Sequence, residues 1–249
     1  PTDRVTWLVA YGHHKVRRKS GARAEGYLRR MDRKPPEDDA THVHARKHYV
    51  RHTLDERDVE AGPFELFKGW LSDAESEGLP DHNAMAVATA GSVSISCRMV
   101  LLRSFDRRGF VFYTNYNSRK AMDLERDPRT ALLFFWPTLE RQVRIEGRAV
   151  PVDPAESDAY WATRPVEHRI GAWSSDQSRT VADRTTMEER YARWQQRFKD
   201  AEVPRPEHWG GYRVVPVRFE FWQGRQDRMH DRIAFEHFAD GWQRMRLQP

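Results

Sequence analysis

The feature that most restricts the fold is a change of hydrophobic period at Gly78-Leu79-Pro80. Before it, Phe64, Phe67, Trp70, Leu71 and Ala74 recur at helical steps behind Pro63, which predicts an amphipathic helix with proline in its first turn. After it, apolar residues come in short runs separated by turn formers. Segments 84–90, 94–103 and 110–115, bounded by Gly91 and by Asp106-Arg107-Arg108-Gly109, read as strands. Ser118 suits the N-cap of a short helix through Glu125, closed by Asp127-Pro128. Two more strands are expected over 131–136 and 142–150. Asp153-Pro154 opens a helix toward Arg164-Pro165, and a longer helix over 181–198 carries a Met187/Tyr191/Trp194/Phe198 stripe. Strands return over 212–223, 232–236 and 242–247. So many short strands with helices inserted late do not suit a βαβ fold. They imply a mainly β (α+β) chain, an antiparallel barrel with peripheral helices.

Charge limits the partners. The formal net charge is +5, but residues 1–34 hold ten Lys and Arg against three Asp and Glu, so the rest of the chain is slightly acidic. A basic tail can bind nucleic acid through phosphates, but the body carries no such excess, and nucleic acid is not the expected partner. Residues 1–40 show no sustained period and end in Pro35-Pro36-Glu37-Asp38-Asp39. They are expected to be a disordered basic leader, with Met31 as a candidate start, ahead of one domain over 41–249. The single cysteine, Cys97, excludes an intramolecular disulfide framework and a cysteine-based zinc site, and is expected to be a small core residue. No apolar run approaches the roughly 20 residues of a membrane helix, and the N-terminal region lacks the apolar stretch of a secretory signal. The expectation is a soluble cytoplasmic protein. His44, His48 and His52 would share a helical face, but no carboxylate joins them and no metal is expected.

Three clusters carry candidate chemistry. Arg98-Met99-Val100-Leu101-Leu102-Arg103 reads as a strand with an arginine at each end. The odd spacing would turn the two arginines to opposite faces, either as rim cations or toward two different anionic groups. In the second cluster, 112–120, a strand runs into a capped helix. Free N–H groups, the helix dipole, Arg119 and Lys120 can together cradle a phosphate. Without an anion, those cations oppose the dipole. In the third, 220–232, Phe221 and Trp222 precede a Gly224 turn and then Arg228, His230, Asp231 and Arg232. That is either a solvated hairpin tip or a place where an anion relieves the repulsion. His230 is also suited to proton exchange near neutral pH.

With these residues in place, segment 45–249 resembles the pyridoxine (pyridoxamine) 5′-phosphate oxidase family. The resemblance runs in order through Asn83-Ala84-Met85, Arg98-Met99-Val100-Leu101-Leu102, Phe112-Tyr113-Thr114-Asn115, Ser118-Arg119-Lys120 and Glu140-Arg141-Gln142-Val143. It continues through Arg164-Pro165, Ile170-Gly171-Ala172-Trp173, Gln177-Ser178, Trp209-Gly210-Gly211-Tyr212 and Glu220-Phe221-Trp222-Gln223-Gly224. It ends at His230-Asp231-Arg232 and Arg246-Leu247-Gln248-Pro249.

The resemblance implies an FMN-binding split barrel and a homodimer with FMN at the subunit interface. It implies oxidation of pyridoxine or pyridoxamine 5′-phosphate to pyridoxal 5′-phosphate, with O2 reduced to H2O2. Carried over by motif, the FMN contacts are Arg98, Met99, Val100, Leu101, Leu102, Arg103, Tyr113, Thr114, Arg119, Lys120, Gln142, Gln177, Ser178, Trp222 and Arg232. The substrate contacts are Arg103, Tyr160, Arg164, His168, Arg228, Met229 and His230, with Arg46 and Tyr49 from a segment that closes over the site. Arg228 and His230 carry the catalytic expectation, one of them assisting removal of the substrate proton. Arg103 stands where the family usually has Lys, His168 where it has Ser, and Met229 where it has Leu. The first two departures leave room for a related flavin oxidase acting on another substrate, such as a phenazine precursor. A non-catalytic flavin- or nucleic-acid-binding module is the reading from another class.

Overall fold

The computed structural model describes residues 48–249; the expected leader, His44 and Arg46 lie outside the described residues. Within them, the period change separates a helix from a sheet as expected. Helix α1 (Pro63–Ser76) has proline in its first turn and buries Phe67, Trp70 and Ala74. It ends at Gly78, whose φ of 66° is left-handed, while the Leu79 N–H reaches back to the Ala74 carbonyl.

The strands are β1 (Ala84–Ala90), β2 (Ile95–Leu101), β3 (Ser104–Asp106), β4 (Gly109–Asn115), β5 (Arg129–Trp136), β6 (Arg141–Pro151), β7 (Trp209–Gln223), β8 (Asp231–Phe238) and β9 (Gly241–Arg246). Every pairing is antiparallel. The order is β2-β1-β5-β6-β7-β4-β3, with β8 and β9 continuing from β7. One edge of β7 pairs with β6 along its length. The other edge is divided: residues from Trp209 to Val214 pair with β4, and residues from Arg218 to Gln223 pair with β8. At the division stands Pro216, which has no N–H to give a neighbour. Opposite it a register shift falls between Glu146 and Gly147, and a Cβ on Gly147 would lie 2.3 Å from the Val215 carbonyl oxygen. This divided edge is the split of the barrel.

Between the strands lie α2 (Arg119–Arg126), α3 (Pro154–Ala162), α4 (Val166–Ser174) and α5 (Arg184–Arg197). Ser118 caps α2 as expected, accepting the Ala121 N–H. Two apolar clusters hold the chain together. In the larger, Phe67 of α1 lies fully buried against Phe105, Phe110 and Phe134, at ring separations of 5.0, 4.9 and 4.9 Å. In the smaller, Trp161, Ile170, Val203 and Trp209 gather Tyr113, Tyr160, Trp173, Tyr191, Trp194 and Phe198, which seats α3, α4 and α5 beside β4 and β7.

Several expectations are corrected. Cys97 is exposed, not core: it alternates with Ile95 and Met99 on the outward row of β2, a strand with one neighbour. Met187 is exposed as well, so the packed stripe of α5 begins at Tyr191. His48 and His52 lie in non-helical backbone, so their spacing does not give a shared helical face. No metal-ligating cluster occurs among the described residues. Strand β3 and helix α4 were not anticipated as separate elements.

Truncating Phe67 to Ala should cost about 3–5 kcal/mol, the usual range for a buried aromatic. Urea denaturation measures it; a loss below about 1 kcal/mol would show that α1 does not seal the barrel.

Candidate active site

A cavity of about 610 Å³ opens between the ends of β2 and β4, the start of α2 and helices α3 and α4. Arg98, Met99, Val100, Leu101, Arg103, Tyr113, Thr114, Lys120, Tyr160, Arg164, His168 and Gln177 line it. Arg98 and Arg103 therefore share one cavity instead of facing opposite sides. The strand stops at Leu101; beyond it the Leu102 N–H bonds the Asn83 carbonyl and the Arg103 N–H bonds the Val111 carbonyl, which redirects the chain. The Leu102 side chain is buried in the core.

The cations form two groups. In the first, Lys120 is buried at the start of α2, and its Nζ donates to Thr114 Oγ1 (2.9 Å), Gln177 Oε1 (3.0 Å) and Ser118 Oγ (3.4 Å). Burial, reinforced by the Arg98 charge, brings its pKa down to about 8. Arg98 donates to the Val87 carbonyl (3.1 Å), to Thr89 Oγ1 (2.8 Å) and to Ser96 Oγ. In the second group, the Arg103 guanidinium stands 5.8 Å from the Tyr160 ring centre, and that of Arg164 4.6 Å from the Trp209 ring. Tyr160 stacks on Tyr113 at 4.0 Å. Arg164 Nη2 donates to the His168 carbonyl (3.0 Å), while its Nε is buried without a hydrogen-bond partner. Burial lowers the Arg164 pKa, with Arg103 adding to the effect and Tyr160 opposing it. None of these four cations makes an ion pair among the described residues. Glu167 also lines the cavity, and Arg164 Nε is the one buried side-chain polar atom among the described residues without a hydrogen-bond partner.

Two expected contacts flank this cavity without lining it. Arg119 Nη2 donates to Ser94 Oγ (2.8 Å) on the exposed side of α2. Ser178, in left-handed backbone (φ 71°), lines a separate cleft between α4 and α5.

The remaining expected residues collect elsewhere. Gln142 pairs with Trp222 across β6 and β7, and Trp222 with Arg232 across β7 and β8. The rings of Tyr49, Trp222 and His230 meet at 5.5, 5.6 and 4.7 Å. A Cβ on Gly224 would lie 2.6 Å from the Tyr49 ring, so glycine there admits the tyrosine. Arg232 reaches Glu220 Oε1 through Nε (2.9 Å) and Nη2 (2.7 Å). His230 Nδ1 accepts the Arg225 backbone N–H (3.1 Å), so the neutral ring carries its proton on Nε2. Burial and then Arg228 lower its pKa, which favours that neutral form. Arg228 and Met229 are exposed beside it, and Asp227 and Arg228 are both left-handed, with φ of 53° and 61°.

Sequence reasoning missed Thr89, Ser96 and Asp123, which surround Arg98, and Trp209, which carries Arg164. Trp209 stood in a motif; the other three gave no local signal.

Lys120 makes a pH-dependent prediction. Unfolded, it titrates near 10.5; folded and ligand-free, near 8. Between those values the unfolded state holds the proton and the folded state does not, so stability rises with pH across that interval. Tyr113 and Tyr212, both pushed up to about 12, reverse the trend above pH 10. Urea denaturation of ligand-free protein from pH 7 to 10 should show the rise. Lys120→Met should flatten it and add roughly 3 kcal/mol at pH 7.

Comparison with known proteins gives a consistent result. A family model described as "Pyridoxamine 5'-phosphate oxidase" matches residues 71–198, and one described as "Pyridoxine 5'-phosphate oxidase C-terminal dimerisation region" matches 209–249. Proteins named pyridoxine/pyridoxamine 5'-phosphate oxidase from Cupriavidus pinatubonensis and Rubrobacter xylanophilus are each 50% identical to this chain. Those matches cover 82% of this chain, and 97% and 94% of the respective relatives. Among solved structures, PhzG from Burkholderia lata 383, in complex with tetrahydrophenazine-1-carboxylic acid, superposes with a TM-score of 0.74 at 32% identity. That match covers 79% of this chain and 98% of PhzG. A pyridoxamine 5'-phosphate oxidase-related, FMN-binding protein from Nostoc punctiforme shares the fold, with a TM-score of 0.60 at 15% identity over 74% of this chain and 97% of that one. The chain belongs to the pyridoxamine 5′-phosphate oxidase family.

Proposed function

We propose that this protein oxidises pyridoxine 5′-phosphate and pyridoxamine 5′-phosphate to pyridoxal 5′-phosphate, with FMN as cofactor and O2 as electron acceptor, the amine substrate also taking up water and releasing ammonia. The observation that carries the reading is two groups of cations in one cavity, held by neutral groups and without direct ion pairs among the described residues, enough for two phosphorylated ligands. Arg98, Lys120, Thr114 and the N-terminus of α2 fit the FMN phosphate, with Arg119 and Ser178 completing its surround. Bound FMN supplies the hydride acceptor and returns the electrons to oxygen.

This chain's own groups bind and orient. Arg103 and Arg164, steadied by Tyr160 and Trp209, hold the substrate phosphate; His168 adds a ring N–H donor. Arg228, Met229 and Tyr49 cover the substrate ring together with His230. With Nδ1 occupied by the Arg225 N–H, His230 offers a ligand the Nε2–H, a donor. Proton removal by His230 requires that bond to break.

A homodimer with shared sites fits the layout. Trp209 borders the cavity and Trp222 belongs to the second group, yet both lie on β7, roughly 40 Å apart along the strand at about 3.3 Å per residue. The exposed Ile95 and Met99 on β2 give a second copy an apolar row to cover. Gln142, Trp222 and Arg232 of one copy then complete the flavin site of the other.

The alternative of a phenazine precursor draws on the likeness to PhzG and on Arg103 and His168. The arginine pair favours a phosphorylated substrate over one bearing a single carboxylate. No helix among the described residues is long and apolar enough to cross a membrane. A cytoplasmic setting accords with the lone cysteine.

FMN-loaded protein under air should convert both substrates, yielding pyridoxal 5′-phosphate and H2O2 in equal amounts; absence of product with both would end this reading. Arg228→Ala should cut kcat by about 100-fold with FMN still bound; loss of FMN instead would assign Arg228 to the cofactor. Co-expressing Lys120→Ala and Arg232→Ala chains should restore roughly a quarter of wild-type activity, since mixed dimers retain one intact site. No restoration would exclude sharing.

A further inference from the structure

Asp123 lies on α2 one turn beyond the Lys120 cradle, and its side chain is buried. Its Oδ2 accepts hydrogen bonds from Thr89 Oγ1 (2.8 Å) and Ser96 Oγ (3.2 Å). Those same two hydroxyls receive the Arg98 guanidinium, Nη1 at Thr89 Oγ1 (2.8 Å) and Nη2 at Ser96 Oγ. A hydroxyl has one proton to donate, and a carboxylate can only accept. With both bonds to Asp123 made, the protons of the two hydroxyls, whose oxygens lie 3.3 Å apart, point to the carboxylate and their lone pairs turn toward Arg98. The backbone closes tightly over the carboxylate: a Cβ on Gly91 would stand 2.8 Å from Asp123 Oδ1 and 3.0 Å from the Ser94 carbonyl oxygen.

The arrangement holds Arg98 without a direct ion pair, although the Asp123 charge still acts on it across the hydroxyls. No direct ion pair joins Asp123 to Arg98; one layer of hydroxyls separates them. The opposite solution occurs at Glu220, whose carboxylate bonds Arg232 directly.

We propose that Asp123 is a positioning residue for the cofactor phosphate, acting through Thr89 and Ser96 to hold the Arg98 guanidinium at the cavity wall without pairing with it directly. The proposal rests on the reading that Arg98 meets the FMN phosphate. A purely structural role, fastening α2 to β1 and β2, is the competing account, and the two differ in what they do to ligands with and without a phosphate.

The test is titration of the full-length protein with FMN and with riboflavin, which lacks the phosphate, followed by flavin fluorescence. Asp123→Asn keeps the shape but supplies amide protons where the hydroxyls need an acceptor. It should weaken FMN about tenfold and leave riboflavin unchanged, and Thr89→Val should act in the same direction. In an Arg98→Lys background the Asp123→Asn effect should largely disappear. Equal weakening of both flavins, in step with a lowered Tm, would overturn the proposal in favour of the structural account, and so would no change in either. Arg98→Ala separates the premise from the proposal: if it leaves the FMN-to-riboflavin preference intact, the phosphate assignment of Arg98 is what has failed.

Discussion

The divided edge of β7 sets the position of everything else. A strand of this length could carry a neighbour along each side. Here Pro216 withholds a donor at the middle of one side, and the bulge at Gly147 bends the other. The far edge is thereby given to two strands that do not pair with each other, β4 and β8. One end of β7 places Trp209 beside Tyr113 and roots the helical aromatic cluster that walls the cavity. The other end places Trp222 between Gln142 and Arg232. The partition of one hydrogen-bonded edge thus sets two groups of candidate site residues apart within a chain.

Between those groups the charges are handled differently. Arg232 is matched directly by Glu220, whose carboxylate is also 3.4 Å from Arg144. Arg213 is likewise held between Glu156 and Asp106. Such pairs fix geometry and leave little field. At the cavity, Arg98 rests on hydroxyls, Lys120 on hydroxyls and an amide, and Arg164 on a carbonyl and indole faces. Neutral partners orient a cation while preserving its attraction for an anion.

Much of this was legible in the sequence because it is local. The period change marks α1 and the strands, the Ser118 cap marks α2, and the run 118–120 marks the helix start whose Lys120 lines the cavity. What escaped is set by contacts distant in sequence. Arg98 and Arg103 converge because Asn83 and Val111 take the backbone bonds past Leu101, which no count of alternating positions contains. Cys97 was expected inside because alternation identifies two faces of a strand without saying which one meets the helices; on β2 the Arg98 side turns to α2 and the Cys97 side outward. Helix α4 escaped because Ile170 alone is buried along it, too little to print a period.

The uncompensated cations also explain why a stable barrel should carry a costly pocket. Burying Lys120 and Arg164 without counter-ions opposes folding, as the lowered pKa values of both express. The two apolar clusters supply the stability against which that cost is set. A ligand bearing phosphate restores the missing partners, and by mass action it stabilises the folded state by an amount that grows with the logarithm of its concentration over Kd. Replacing these cations by apolar residues would produce a more stable ligand-free chain with a weaker hold on anions. The cost of burying these cations and the anion affinity proposed for the cavity are therefore one property, measured first without the ligand and then with it.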